Sequence, residues 1–159
     1  VVMVHGFMPL FFTGFLFTAG PKWLGVPGPD ARDVLPPVVL QVLAWPLWLA
    51  GVHLAPGLAI AALLLAATGQ ALATLRFARL LRASAAGDTA HARVIAIGWA
   101  VGTLTLAGLA LALWQDDLDG ARRWLHTALW GFVALVYVTV VHRMIPFFTS
   151  STLPLVQLW

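Results

Sequence analysis

Five long stretches of the chain are apolar on every helical face, at about residues 1–19, 35–53, 56–82, 91–114 and 123–148. A helix without a polar side is either buried in protein or surrounded by lipid, and runs of roughly 20 apolar residues match the thickness of a bilayer. The pattern predicts an all-α fold, a polytopic transmembrane helical bundle of about five spans. Turn residues separate the spans. Gly20-Pro21 is expected to end the first, because proline lacks an amide donor and glycine is permissive. Pro36-Pro37 suits the first turn of the second span, where no donor is needed, and Pro46 predicts a kink or packed break within it. Ala55-Pro56-Gly57 reads as a tight turn into the third span.

Composition agrees with that solvent. Hydrophobic residues make up 61% of the chain and charged residues 9%, whereas a soluble helical domain of this length needs a polar face on most helices. There is no cysteine, which excludes disulfides, thiolate metal sites, iron–sulfur clusters and the attachment sequence of c-type haem. A cofactor would have to use His, Met, Tyr or carboxylate. The chain opens with Val1-Val2 inside an apolar run and without the basic start and cleavage site of a signal peptide. It reads as one transmembrane domain, residues 1–159, of a longer protein.

The charges give an orientation. Lys22, Arg32, Arg76, Arg79, Arg82 and Arg93 fall on one side with Arg143 nearby, and Arg122 and Arg123 fall on the other beside Asp116, Asp117 and Asp119. By the positive-inside rule the first side, with loops 20–34 and 83–90, is cytoplasmic. Topology accounts for the basic residues, so nucleic acid is not expected as a partner; the bilayer is. In the third span Ala59, Ala62, Ala66, Gly69 and Ala73 form a small-residue stripe that admits a close neighbour, and Gly98 with Gly102 repeats the device in the fourth. Gln70, near mid-membrane, calls for an interhelical hydrogen bond.

Candidate chemistry rests on five histidines, since the chain has no glutamate and its aspartates lie in loops. An ionisable group within the bilayer is a functional hypothesis by default. His5 lies roughly 20 Å along the helix from Ala19, at 1.5 Å per residue. His126 and His142 stand roughly 24 Å apart along the fifth span, too far to share one haem. With spans alternating in direction, His5, His53 and His126 fall in the outer half and His91 and His142 at the inner end. Neutral imidazole suits haem iron and copper, and two helices can hold a haem between them. His126 and His142 are therefore candidate haem ligands, and Arg143 is a candidate partner for a propionate.

Trp130 and Tyr137, on the His126 face, read as aromatic packing, with an aromatic wall for a macrocycle as the alternative. His5 and Met8, three residues apart on one helix face, are candidate metal ligands whose imidazole and thioether suit Cu(I). His53 and His91, at span ends, read as interfacial side chains or caps. Met8-Pro-Leu-Phe-Phe-Thr-Gly14 and Met144-Ile-Pro-Phe-Phe-Thr-Ser150 share a proline, paired phenylalanines and a hydroxyl, and broken helices at membrane depth tend to line sites.

The stretch GFLFTAGPKWLG, Gly14 to Gly25, resembles the GFLLTAVPNWTG-type segment of the NnrS family. These are multi-spanning bacterial membrane proteins that contain haem and copper and are associated with nitric oxide metabolism. Gly6 and Trp48-Leu49-Ala50-Gly51 extend the resemblance over the first third of the chain. The family's histidine corresponds to Val1, so it does not carry over to His5, and family members are much longer, with around a dozen spans. The resemblance implies a multi-pass protein of the bacterial inner membrane that binds haem and copper. Its expected partners are nitric oxide or another small gaseous ligand and the remaining helices of a longer chain or an oligomer. Redox chemistry at the metal is the reaction implied. The alternatives are a transporter segment, with Pro9, Pro46 and Pro146 shaping a histidine-lined pathway, or a structural assembly subunit.

Overall fold

The structure, a computed structural model, describes residues 1–152, with side chains through Ile145. Among these residues every regular element is helical. Five helices are long and apolar enough to cross a membrane: α1 (Val2–Leu24), α2 (Ala31–Leu54), α3 (Pro56–Ala83), α4 (Ala90–Trp114) and α5 (Leu118–Ile145). Large apolar side chains such as Phe11, Leu43, Leu64, Ile97 and Leu104 are exposed on the bundle surface. Water would not tolerate that surface, and lipid does. The protein is a multi-pass membrane protein.

Helix ends differ from the sequence expectation for identifiable reasons. α1 runs through Pro21 and stops at Gly25, whose φ of 64° is left-handed and whose amide bonds to the Pro21 carbonyl. The missing donor of Pro21 costs the helix one hydrogen bond, whereas a left-handed glycine redirects the backbone and ends it. α2 starts at Ala31, so Pro36 and Pro37 lie inside the helix instead of in its first turn, and the helix continues through Pro46. Val2–Phe7 forms a π turn just before Pro9. Proline cannot supply the amide that His5 would use in α register, and a widened turn relieves that mismatch. A second π turn, Leu129–Ala134, interrupts α5, whose helical backbone then continues to Thr152.

Small residues set the packing. The closest pairing is α2 with α3, followed by α3 with α4. Ala59, Ala62, Ala66, Gly69 and Ala73 are all buried. A Cβ on Gly51 would run into the Ala59 backbone, and one on Gly69 would come within 2.9 Å of the Pro37 carbonyl oxygen. Gly98 faces Val136, and Gly102 faces Phe132 and the amide of Gln70. The GxxxG of α4 thus admits α5 on one side and α3 on the other. The core is aromatic at its centre: Phe12 and Trp99 both meet Phe132 edge-on, at ring centroids 6.1 and 6.2 Å apart, the geometry favoured by the ring quadrupole.

α5 begins five residues earlier than the apolar pattern indicates, because Asp117 caps it. The Asp117 carboxylate accepts a hydrogen bond from the Gly120 amide at 2.8 Å, satisfying an orphan donor of the first turn. Asp117→Ala is expected to cost about 1 kcal/mol, the usual value of such a cap. Thermal unfolding in detergent measures it, and an unchanged midpoint would remove the cap from the account of this boundary.

Candidate functional site

At one end of the bundle the C-terminal turns of α1, the start of α4 and the C-terminal part of α5 line a cleft of about 720 Å³. Thr18, Ala19, Lys22 and Trp23 come from α1, His91 from α4, and His142, Arg143 and Met144 from α5. Nearby, the Ser84 hydroxyl donates to the Leu24 carbonyl at 2.7 Å, tying the end of α3 to the end of α1. Lys22 and Arg143, assigned to one side of the membrane by charge, therefore meet at one end.

Two histidines, His91 and His142, pair across this end. His91 Nε2 and His142 Nδ1 stand 3.2 Å apart, with the rings stacked at 20° and centroids 5.4 Å apart. Asp88 Oδ2 lies 4.0 Å from His91 Nδ1. At that distance it makes no hydrogen bond, and His91 Nδ1 has no hydrogen-bond partner; which histidine donates to the other follows from the tautomer each adopts. With Nδ1–H of His142 donating to Nε2 of His91, the Nε2 lone pair of His142 is free. A ligating imidazole is commonly oriented in this way, its second nitrogen donating to a fixed acceptor. On the other side of the pair Val94, Val138 and Thr139 help line a smaller hollow of about 260 Å³.

The cleft is basic and aromatic. The Arg143 guanidinium sits 5.4 Å from the centroid of the Trp23 ring, a cation–π placement that fixes the side chain and leaves N–H groups for an anion. Lys22 adds a second cation to the lining. An acid-bearing, planar, largely apolar ligand matches these walls.

The other sequence candidates lie elsewhere. His126 is exposed, as are Trp130 and Tyr137, at 71% and 56%. The alternative of an aromatic wall faces outward and encloses nothing among the described residues. His5 is 1% exposed, and neither ring nitrogen has a hydrogen-bond partner. Met8 packs instead against the aromatic core cluster. No group of three or more His, Asp or Glu placed to hold a metal occurs among the described residues. Gln70 is fully buried against Gly102, but its amide forms no hydrogen bond, contrary to the interhelical bond expected of it. His53 is exposed, as an interfacial residue would be. The second Met-Pro-Phe-Phe stretch, from Pro146 onward, lies outside the described side chains.

The NnrS family, described as NnrS protein, matches residues 1–158. The chain belongs to the NnrS family. No curated protein and no solved structure matches it. The family match covers nearly the whole chain, where the residue resemblance reached only its first third. The Gly14–Gly25 segment that carries that resemblance also has a structural role in this NnrS-family protein. Its Thr18, Ala19, Lys22 and Trp23 line the cleft, Gly20 lets the Phe77 ring approach, and Gly25 ends the helix.

Sequence reasoning placed His91 and His142 at the same end but treated His91 as an interfacial side chain or cap. The signal was the shared end. Helical periodicity within each span does not say how two spans are rotated toward one another.

Proposed function

We propose that this NnrS-family protein binds haem in the inner-end cleft and serves the bacterial response to nitric oxide, in the inner membrane with loops 20–34 and 83–90 cytoplasmic. The observation that carries the reading is the His91–His142 pair beside a basic, aromatic cleft. His142, through Nε2, is the residue to hold the iron. Lys22 and Arg143 are placed to meet propionates, and Trp23 offers a face to the macrocycle. Haem bound there would supply a redox-active iron able to take a small gaseous ligand.

Only one histidine of the pair fits as a ligand. His91 Nε2 and His142 Nδ1 are 3.2 Å apart and bond each other. His91 is therefore the orienting residue, and His126, about 24 Å along α5 from His142 at 1.5 Å per residue, takes no part. Copper fits less well. His5 offers an imidazole without a partner, but Met8 packs into the aromatic core and the donor set stops there among the described residues.

The test is haem titration of the full chain in detergent, followed by absorbance and pyridine haemochrome assay. One haem per chain is expected, and the double variant Lys22→Gln/Arg143→Gln should weaken its affinity about tenfold or more, since a charge-assisted hydrogen bond contributes about 1.5–3 kcal/mol. Protein that neither retains nor takes up haem would end this reading.

A further inference from the structure

A second cavity at the same end, about 520 Å³, lies between the start of α2 and the last turns of α3. Its charged lining has two signs: Asp30 and Asp33 on one side, Arg76 and Arg79 on the other. Opposite charges on adjoining helices ordinarily close into ion pairs, yet none of these four pairs with another. Asp30 stands at the N-cap of α2 but makes no side-chain cap bond, so its carboxylate is uncommitted. Arg76 Nη1 is buried without a hydrogen-bond partner. An unpaired buried guanidinium nitrogen is costly unless something absent from the protein chain meets it. Phe17 and Leu80 supply an apolar wall beside the charges.

We propose that this cavity holds the headgroup of a phospholipid bearing a primary amine, with the phosphate against Arg76 and Arg79 and the ammonium against Asp30 and Asp33. The ligand needs both charges, because a purely anionic headgroup leaves two carboxylates facing it, and a simple cation leaves two guanidinium groups. A primary ammonium donates three hydrogen bonds to carboxylates, whereas a quaternary ammonium donates none. Arginine is suited to phosphate through its planar fork. The lipid is the favoured source because the cavity lies within the last two turns of a membrane span, beside apolar side chains that can carry the start of an acyl chain. This site is independent of the haem cleft.

The discriminating experiment is native mass spectrometry of the detergent-purified full chain titrated with phosphatidylethanolamine, phosphatidylcholine and phosphatidylglycerol of identical acyl composition. The ethanolamine lipid is expected to bind about tenfold more tightly than the other two. Asp33→Asn should bring it down to the level of the choline lipid, and Arg76→Gln should weaken all three. Arg79→Gln, on an exposed side chain, provides a second test if Arg76→Gln fails to fold, and thermal midpoints of all variants confirm the fold. Equal binding of the three lipids, or a preference that survives Asp33→Asn, overturns the proposal. Free phosphoethanolamine separates the sources: failure to displace the lipid at equal concentration supports a lipid site, and displacement overturns it.

Discussion

His142→Ala should abolish the Soret band of haem-loaded protein, while His126→Ala leaves it unchanged. The contrast follows from placement. His142 lines the histidine-bearing cleft and is hydrogen-bonded through Nδ1 to His91; with Nδ1–H donating, its Nε2 is the available lone pair. His126 stands about 24 Å away along the same helix, at 1.5 Å per residue. His91→Ala acts one step behind the ligand, and loss of such an orienting partner usually costs about 10–100-fold in affinity without removing the site. It should therefore shift and weaken the band. Added imidazole ought to restore the spectrum of His142→Ala, because the missing ligand is then supplied from solution. A merely structural role for His142 predicts no rescue. Retention of a normal band by His142→Ala would sink the assignment.

The largest effect on folding is expected from Gly102→Leu. A Cβ at this position already meets the Phe132 ring at 2.7 Å and collides with the Gln70 amide, and both neighbours belong to the centre of the bundle. Phe132 cannot yield freely, since Phe12 and Trp99 hold its edges and face. Overpacking costs typically about 1–3 kcal/mol and occasionally more, and this site should reach the upper end or pass it. Gly14→Leu is the matched control, because nothing lies within 4 Å of a Cβ there. Thermal unfolding in detergent should show a large drop for the first and almost none for the second. Equal midpoints would mean that the α4 glycines do not set the approach of α5 and α3.

These expectations rest partly on features the chain displays openly. Apolar residues on every helix face, nine Lys and Arg kept to loops and span ends, and alanine and glycine at three- and four-residue steps in α3 determine a bundle of membrane-crossing helices and which surfaces approach closely. They do so because the bilayer penalises every charged or unpaired polar group within it, leaving few arrangements open to such a sequence. Local chemistry also fixed details once the competing signals were ranked. Gly25 ends α1 where Pro21 does not, and Asp117 starts α5 ahead of its apolar run.

The site depended on information of another kind. His5, His91, His126 and His142 look alike in sequence, each an imidazole in or beside an apolar run, and their separation along the chain decides only which share an end. Whether two meet depends on how each helix is rotated about its own axis. That rotation is set by Gly51 on Ala59, Gly69 on Pro37 and Gly102 on Phe132, contacts between residues of different helices. Tertiary packing turned His91 toward His142, left His126 facing outward and enclosed His5. The sequence by itself determined the membrane, the spans and the end at which the charges collect; packing alone decided which histidines could act together, because lipid tolerates any rotation of an apolar helix and only close contact selects one.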